Sequence, residues 1–362
     1  MQFGLFSNGR RPGRTLGEAW EHDLAEIVHA DRLGFQEVWI SEHYAPSEFM
    51  ICKAAALTEQ LMLGTGVRLL PYSHPFQIAT EANTVDQLTG GRYLFGIGSG
   101  FWVEQFAARG IDREKAVEMF DASIDVILKL LNGHEPFDLE GPYWFGRNMA
   151  LQVPSVQRPH PPITIAVSKS PDTIRTAGQN GFGVLTSDFI RVSSLKMLGD
   201  QLVNEQAAAG RSRSRKAVRA CRVVYVAKDD KAARDELRDS FNSRIKWDIA
   251  NAPHHQVDRV PPGGTLQDIT FDYLVDTDDV IVGSPETVTG KLQKFYEESG
   301  GFGVLNLHTG RDYATPDRIY RSMTLFMTEV APLLMHLDPD KALGTDARNV
   351  PISPTAATRQ AR

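Results

Sequence analysis

Apolar segments with β character alternate with amphipathic helical patterns along nearly the whole chain, and this alternation constrains the fold more than any other feature. Eight segments have the length and composition of strands, and a helical pattern follows each of them. They are residues 3–6, 37–40, 61–67, 92–98, 163–167, 182–186, 217–227 and 302–308. Strands joined by helices form parallel sheets, and eight such units make one closed barrel. We therefore predict an α/β protein with a (β/α)8 TIM barrel; a doubly wound sheet is the alternative.

Three segments depart from this alternation. Residues 133–161 contain five prolines and several aromatic residues, which predicts an extended excursion or a hairpin. Residues 251–283 form a long polar stretch with "PPGG", and loops of this length in a compact domain are usually lids or disordered. No linker divides residues 1–337, so we predict a single barrel domain there, followed by a polar C-terminal tail at 338–362.

The composition is that of an ordinary globular protein and excludes some functions. Hydrophobic residues make up 42% and charged residues 23% of the chain, and a net charge of −6 argues against nucleic-acid binding. The two cysteines, Cys52 and Cys221, form no CxxC pair, which is typical of a reducing compartment. The first residues lack the pattern of a signal peptide, and no apolar run approaches the ~18 residues that span a bilayer. We expect a cytoplasmic protein with neither a nucleic-acid nor a membrane partner.

The polar residues that follow the predicted strands are the first candidates for a functional site. In a parallel barrel the active site lies at the carboxyl ends of the strands, because the connecting loops there converge on the barrel axis. The segments in this position are Ser41–Tyr44, Thr65–Gly66, Gly98–Gly100, Ser168–Ser170, Thr186–Ser187 and His308–Thr309. Arg68 also lies close to a strand end, and we expect it to pair with an acid at the barrel mouth.

Two of these strand ends have the composition of ligand-binding loops. "GIGSGFW" (96–102) departs from the dinucleotide pattern GxGxxG at Phe101, so it predicts either a tight turn or a backbone that a flat ring or a phosphate can approach. In "AVSKSPDT" (166–173), Ser170 has the position of a helix N-cap before Pro171. A helix start with Ser168 and Lys169 beside it predicts either a simple capped helix or an anion site. The chain shows neither the spacing of a metal site nor a GxSxG nucleophile elbow.

Taken together, the motifs resemble those of the bacterial luciferase-like flavin monooxygenases. The resemblance is carried by "EVWISEHY", "LGTGVRLLPYSHPFQIATEANTVDQLTGGRYLFGIGSG", "ITIAVSKSP" and "IVGSPETVTGKLQKFYEESGGFGVLNL", in this order, and it spans about residues 2–335. Family members that oxygenate limonene and diketocamphane are similar in "ISEH", "LLP" and "FGIGSG". The order and spacing of the motifs are more specific than any one of them.

The resemblance implies a cofactor, a partner and a reaction. Family members have a (β/α)8 barrel and take reduced FMN (FMNH2) from a separate NAD(P)H-dependent flavin reductase. The flavin reacts with O2, and the resulting C4a-(hydro)peroxyflavin transfers one oxygen atom to an organic substrate. Baeyer–Villiger insertion, epoxidation and hydroxylation all remain open for this chain. A homodimer is also expected, because barrels of this family often associate through their helices.

Site residues are carried over by their positions in the motifs. His43 matches the catalytic histidine of the family, which exchanges protons near neutral pH. The residues with cofactor-binding positions are Gly66, Val67, Gly98, Ser99, Val167, Ser168, Lys169, Ser170 and Thr186. Within this set, Gly66 and Val67 match a non-prolyl cis peptide beneath the flavin ring. Gly98 and Ser99 stand where the luciferase α-subunit has a reactive cysteine and a phosphate-binding arginine, so Lys169 becomes the expected phosphate ligand.

The predicted substrate pocket is apolar. Aromatic residues near the strand ends would form its wall and favour a hydrophobic substrate, although several of them could belong to the core; they are Phe6, Trp39, Tyr44, Tyr72, Phe101 and Trp102. Glu42 could orient His43 or bind backbone, and the sequence leaves the two roles open. Two other functions remain: hydride transfer with the deazaflavin F420, and flavin binding without turnover in an accessory subunit.

Overall fold

The computed structural model describes residues 1–9, 11, 13–42, 45–100, 102–133, 135–167, 170–251, 253 and 256–343. The strands are β1 (Gln2–Ser7), β2 (Glu37–Ile40), β3 (Met62–Thr65), β4 (Arg68–Leu69), β5 (Tyr93–Gly98), β6 (Phe137–Glu140), β7 (Phe145–Met149), β8 (Ile163–Ala166), β9 (Gly183–Leu185), β10 (Val218–Val226), β11 (Val280–Gly283) and β12 (Val304–Thr309). The helices are α1 (Leu16–Leu33), α2 (Ser47–Ala55), α3 (Pro75–Leu88), α4 (Val103–Ala107), α5 (Ala116–Asn132), α6 (Pro171–Asn180), α7 (Val192–Ala208), α8 (Asp230–Asn251), α9 (Phe271–Asp276), α10 (Pro285–Glu298), α11 (Pro316–Leu325) and α12 (Ala331–Leu334). A π-helical turn (Phe326–Val330) joins α11 to α12.

A closed ring of parallel strands forms the centre of the molecule and confirms the predicted (β/α)8 barrel. Within the described residues, eight strands pair in the order β1, β2, β3, β5, β8, β9, β10, β12, and β12 pairs with β1 again. The eight segments predicted from the sequence are these eight strands. The main core lies between the outer faces of the strands and the surrounding helices, where Leu5, Val38 and Leu63 are fully buried. Barrel strands are covered on both faces, which explains why their sequences are almost continuously apolar.

The helices begin and end at residues whose side chains or backbone conformations suit those positions. Thr15 and Glu18 form a capping box at the start of α1, and Gly34 closes this helix with a φ of 84°. Ser170 caps α6 and Ser284 caps α10, in each case directly before a proline at the first helical position. These short-range signals determine where the helices begin. Because the strands are parallel, the βα connections lie at one end of the barrel. None of the described helices is both long and apolar enough to cross a membrane.

A buried polar cluster fills the inside of the barrel. The Trp39 side chain is fully buried there, and its indole nitrogen donates a hydrogen bond to Glu37 Oε1 at 2.7 Å. Glu37 also pairs with Arg219, whose Nε lies 3.1 Å from Oε1. The large indole fits because Gly64 and Gly96 face it: a Cβ atom at these positions would lie 2.6 and 2.8 Å from the ring. This cluster forms the floor beneath the mouth of the barrel.

The structure corrects the predicted lid and specifies the excursion. The prediction of a continuous loop at 251–283 is wrong in part, because α9 and β11 lie within this range. β10 is 9 residues long and continues beyond the ring, so its second half pairs with β11 outside the barrel. The excursion at 133–161 contains the antiparallel hairpin β6–β7, one of the two predicted forms.

The first residues of the predicted tail pack against the barrel. Asp340 is buried, and its carboxylate accepts hydrogen bonds from the backbone nitrogen of Arg215 and from Ser214 Oγ, both at 2.7 Å. Residues 341–343 then form a short 3₁₀ turn. The chain therefore remains attached to the barrel for several residues beyond Leu337.

Candidate active site

Four neighbouring strand ends bring together six of the predicted cofactor-binding residues. Gly66 and Val67 follow β3, Gly98 and Ser99 lie at the end of β5, Val167 follows β8 and Thr186 follows β9. Because β3, β5, β8 and β9 are consecutive in the ring, these residues occupy one arc of the barrel mouth. We call this group of six residues the glycine arc.

The backbone of the glycine arc is closely packed against its neighbours. The predicted cis peptide between Gly66 and Val67 is present, and Gly66 N donates a hydrogen bond to Ile40 O at 2.7 Å. A Cβ atom at Gly98 would lie 2.7 Å from Val67 Cγ2, and one at Gly66 would lie 3.0 Å from the Phe6 ring. A side chain at Gly98 would overlap Val67, and one at Gly66 would press against Phe6, so close packing favours glycine at both positions.

The glycine arc and the start of α6 have groups that could contact FMN. Gly66 and Val67 are half-buried, so a flat ring could lie against them, and the half-buried Ser99 lies at the same arc. Thr186 Oγ1 is buried and has no hydrogen-bond partner in the described part of the chain, so it could bond to a ligand. Ser170 is exposed at the start of α6 and accepts a hydrogen bond from Thr173 N at 3.4 Å. The amides of a helix start favour a phosphate.

Three of the expected catalytic and cofactor-binding residues are not among those that the structure describes. His43, Ser168 and Lys169 lie outside the described residues. Their neighbours in the sequence are placed: Glu42 precedes His43, and Val167 and Ser170 flank the other two. The assignment of the proton-exchanging histidine and of the phosphate-binding lysine therefore stays a prediction.

The predicted aromatic wall divides into separate groups. Phe6 is half-buried beside Gly66 and packs edge to face on His308, with 5.8 Å between ring centroids. Tyr72 packs against Phe106 of α4, whose first turn follows the half-buried Trp102. Trp39, in contrast, lies in the barrel floor with no exposed surface, so it does not border the mouth in this structure. Tyr44 and Phe101 lie outside the described residues.

Arg68 pairs with acids at the barrel mouth, as predicted. Its Nη1 lies 3.2 Å from Glu42 Oε1 and its Nη2 lies 2.8 Å from Glu81 Oε2. Glu42 Oε2 also accepts a hydrogen bond from the backbone nitrogen of Leu69 at 3.1 Å. Burial raises the pKa of Glu42 to about 7, although Arg68 opposes the shift. Glu42 directly precedes His43, so these hydrogen bonds link the end of β2 to the segment that follows the cis peptide.

A second titratable pair lies on the other side of the mouth. His308 Nδ1 is 2.7 Å from Asp188 Oδ2; the His308 side chain is buried, and the Asp188 side chain is 14% exposed. Arg259 Nη2 lies 3.4 Å from the same carboxylate oxygen. Burial would raise the pKa of Asp188, but His308, Arg259 and Arg311 hold it well below its usual range. Burial lowers the pKa of His308 against the opposing effect of Asp188.

Sequence reasoning found only half of this pair. His308 was among the polar residues at the strand ends, whereas Asp188 was not. The acid follows Thr186 and Ser187 in "TSDF", one residue beyond the segment that the rule selected. A wider window after each strand would have included Asp188. It would not have predicted the contact with His308, because the two residues are 120 positions apart in the sequence.

An open recess of ≈ 540 Å³ lies on the β6–β7 hairpin, where it is lined by residues between Glu140 and Arg147. It contains none of the predicted site residues. The candidate site is therefore the barrel mouth, with the glycine arc on one side and the His308–Asp188 pair on the other. A closed parallel barrel with its titratable residues and glycine-containing turns at the carboxyl ends of the strands is the architecture of a barrel enzyme.

Comparisons with known proteins identify the family. The profile of the family described as luciferase-like monooxygenase matches residues 1–302. The 4-hydroxyprotoasukamycin monooxygenase of Streptomyces nodosus subsp. asukaensis is 30% identical over 348 residues, which cover 92% of each chain. Limonene 1,2-monooxygenase of Rhodococcus erythropolis is 28% identical over 92% of this chain and 86% of its own. The chain therefore belongs to the luciferase-like monooxygenase family, whose members are oxidoreductases.

Solved structures agree with the barrel fold. The oxygenating constituent of 3,6-diketocamphane monooxygenase of Pseudomonas putida, a type II Baeyer–Villiger monooxygenase in complex with FMN, superposes with a TM-score of 0.79. It is 26% identical, and the match covers 92% of this chain and 98% of the other. The F420-dependent tetrahydromethanopterin reductase of Methanopyrus kandleri superposes with a TM-score of 0.66 at 18% identity over 92% and 99% of the two chains, which shows a shared fold.

Proposed function

We propose that the protein is the oxygenase component of a two-component flavin-dependent monooxygenase. It would take reduced FMN from a separate NAD(P)H-dependent flavin reductase and use O2 to oxygenate a hydrophobic organic substrate. The observation that carries the proposal is the glycine arc, a set of closely packed strand ends with glycine backbone at the mouth of a barrel from this family. The Pseudomonas relative supports it, because that protein is an oxygenating constituent in complex with FMN. Bound reduced FMN would supply the chemistry that activates O2.

The residues of the chain would bind the cofactor and keep water away from it. Gly66, Val67 and Gly98 would support the flat ring, while the start of α6 with Ser170 would hold the phosphate. Phe6 and the aromatic groups at α4 would cover the site with apolar surface and accommodate the substrate. Excluding water matters because an activated oxygen species decays unproductively when it is solvated.

His43 would be the proton partner at this site. A histidine near neutral pH can donate a proton and then accept one, which would suit a reaction in which one oxygen atom of O2 enters the substrate and the other leaves as water. Glu42, held by Leu69 N and Arg68, would keep the segment before His43 in place. His43→Ala should retain its FMN affinity and lose most of its product, with the reducing equivalents recovered as hydrogen peroxide. An unchanged ratio of product to NADH in this variant would remove His43 from the mechanism.

The proposal is tested by the fate of molecular oxygen. FMN binding is measured from the quenching of flavin fluorescence. The protein is then mixed with a flavin reductase, NADH, FMN and 18O2, and with cyclic ketones, terpenes and phenols as substrates. We expect one 18O atom in a lactone or ester, an epoxide or a phenol, which distinguishes insertion, epoxidation and hydroxylation. Product without 18O, or FMN that does not bind, would contradict the proposal.

The same assays separate the two alternative functions. Reduction of F420 by an alcohol, with no incorporation of 18O, would establish hydride transfer in place of oxygenation. Tight FMN binding without turnover on any substrate of the panel would indicate an accessory flavin-binding subunit. The F420 alternative rests on a shared fold with the Methanopyrus enzyme, whereas the proposal also rests on family membership.

A further inference from the structure

His308 faces the inside of the barrel at its mouth. Side chains alternate between the two faces of a strand, so residues 306 and 308 of β12 point in the same direction. Asn306 Nδ2 bonds to Glu37 Oε1 in the barrel floor at 3.4 Å, which shows that this direction is inward. His308 therefore lies one pleat above the floor, and only 5% of its surface is exposed.

Two buried acceptor atoms at this position have no hydrogen-bond partner among the described residues. One is His308 Nε2, and the other is Asn8 Oδ1 on the neighbouring strand end. Asn8 N donates to Thr309 O at 3.1 Å, so the two residues lie on neighbouring strand ends of the ring. A buried acceptor that remains unpaired costs about 1–3 kcal/mol, so each of these atoms could accept a hydrogen bond from a donor on a ligand.

Asp188 determines which nitrogen of His308 is the acceptor. Its carboxylate is ionised and accepts a hydrogen bond from Nδ1–H, which leaves the lone pair of the neutral imidazole on Nε2. The titratable groups that face the pair are Arg259, Arg311, Tyr313 and Cys221. Arg259 and Arg311 keep Asp188 ionised, so the pair has the arrangement of a histidine base oriented by a carboxylate.

We propose that His308, oriented by Asp188, accepts the proton of a phenol- or enol-type hydroxyl, and that the barrel therefore selects substrates of this class. The inference rests on the proposed function and names its substrate. The phosphate-binding residues are expected at β5 and β8, which lie across the ring from β12 and β1. The acceptors on β12 and β1 are thus placed for the substrate, opposite the phosphate of the cofactor.

The chemistry of the proposal is a single proton transfer. The substrate O–H bond breaks, its proton forms a bond with Nε2, and the resulting imidazolium is paired with the Asp188 carboxylate. The substrate becomes a phenolate or enolate, whose carbon is electron-rich and therefore reacts more readily with an electrophilic oxygen. Phe6 lies edge to face on His308 and would provide apolar contact for the ring or chain that carries the hydroxyl.

The first test uses 4-nitrophenol, whose ionised form absorbs visible light. The protein loaded with oxidised FMN should bind it and hold a larger phenolate fraction than solution at the same pH. In His308→Asn the amide nitrogen can still donate to Asp188, but the Nε2 acceptor is lost. Affinity should fall about tenfold, equivalent to about 1.4 kcal/mol, and the extra phenolate should disappear. His308→Gln, which has a polar group at the Nε2 position but no base, should recover affinity without recovering phenolate. Unchanged binding in His308→Asn, or no binding to the wild-type protein, would overturn the inference.

The second test needs no variant and remains informative if the substitutions prevent folding. The protein is labelled with ring-15N histidine, and the His308 signals are assigned from contacts to the Phe6 and Tyr313 rings. We expect the Nδ1–H tautomer with an unprotonated Nε2 at neutral pH, and a shift of the Nε2 signal when 4-nitrophenol is added. The opposite tautomer, or an Nε2 signal that does not shift when 4-nitrophenol is added, would overturn the inference.

Failure of this inference can be told apart from failure of the proposed function. Neither test involves turnover. A protein that passes both but incorporates no 18O contradicts the monooxygenase proposal alone. A protein that oxygenates ketones or terpenes, but binds 4-nitrophenol without using Nε2, contradicts the inference alone.

Discussion

Glu42 shows how one buried carboxyl connects two parts of the barrel mouth. It precedes His43 at the end of β2 and bonds to Arg68 and to Leu69 N, just after the cis peptide. The sequence left its role open between orienting His43 and binding backbone, and the structure shows the backbone contact. Only 13% of its side chain is exposed, and Arg68 is shared with Glu48 and Glu81, so the ionised form is poorly solvated.

Glu42→Gln should change how stability depends on pH. Because the pKa of Glu42 rises from 4.5 to about 7 on folding, the native state retains a proton that the unfolded state releases between these values. The free energy of unfolding should therefore fall with rising pH across this window and level off above it. Relative to Glu42→Gln, the wild-type protein should lose about 2–3 kcal/mol between pH 5 and pH 8, measured by urea unfolding.

Glu81→Gln is the matched control for this experiment. Glu81 bonds to the same guanidinium, but 36% of its side chain is exposed. Its effect on the free energy of unfolding should differ by less than about 0.5 kcal/mol between the two pH values. If the free energy of unfolding of Glu42→Gln changes with pH in the same way as that of the wild-type protein over this range, burial does not raise the pKa of Glu42.

Trp39 shows why a correct strand assignment does not identify a pocket residue. Its position near a strand end suggested an aromatic wall. The structure places it in the floor, because Gly64 and Gly96 on the neighbouring strands leave room for the indole and Glu37 accepts its hydrogen bond. The space that the glycines leave becomes visible only after strands from different parts of the chain are paired.

At the scale of elements, α6 and α10 start with nearly the same local sequence. "SPDT" begins at Ser170 and "SPET" at Ser284, and in both the serine hydroxyl accepts a hydrogen bond from the backbone three residues on. The first helix follows a strand of the ring, whereas the second follows β11 outside it. The local signal predicts both helix starts equally well, and only the topology separates a site position from a purely structural one.

Ser170→Ala and Ser284→Ala form a matched pair that uses this difference. Each variant should lose about 1 kcal/mol of stability in urea unfolding, because each removes an N-cap. Only Ser170→Ala should weaken FMN binding, by about five- to tenfold, since one hydrogen bond to the phosphate is lost. Equal FMN affinities for the two variants would show that the phosphate does not bind at the start of α6.

β11 explains the main error in the predicted element order. Its four apolar residues, "VIVG", follow two aspartates and lie within a stretch rich in turn residues, so the segment was assigned to a lid. The strand exists because β10 extends beyond the ring and offers its unpaired edge, with Val223 opposite Val280. A four-residue strand on such an edge depends on its partner more than on its own sequence.

At the scale of the whole molecule, exposed apolar side chains lie on two neighbouring helices. Phe49 near the start of α2 is 75% exposed and Leu88 at the end of α3 is 64% exposed, and the two helices pack against each other. The two side chains lie at opposite ends of this helix pair, because both helices follow parallel strands. Exposed apolar side chains on a helix face are the kind of surface that an interface covers, and Phe49 is the more exposed of the two.

We propose that Phe49 lies in the interface of the expected homodimer, so Phe49→Asp should shift the protein from dimer to monomer. A buried charge at an apolar interface costs several kcal/mol, so the dimer should dissociate at concentrations at which the wild-type dimer persists. Light scattering after size-exclusion chromatography measures the mass. Phe145→Asp is the control, because Phe145 is 81% exposed on the β6–β7 hairpin, and it should leave the mass unchanged. A monomeric wild-type protein, or a dimer that only Phe145→Asp disrupts, would contradict this assignment.

The sequence by itself determined the eight strands, their order and the residues that follow each of them. Periodicity, helix caps and turn residues act over a few positions, so they can be identified without knowing the partners. Three features cannot be derived from such local signals and depend on the closed ring. They are the place of Trp39 in the floor, the pairing of β11 and the contact between His308 and Asp188. Each of these depends on residues far apart in the chain, because side chains at a barrel mouth meet only when the ring of strands closes.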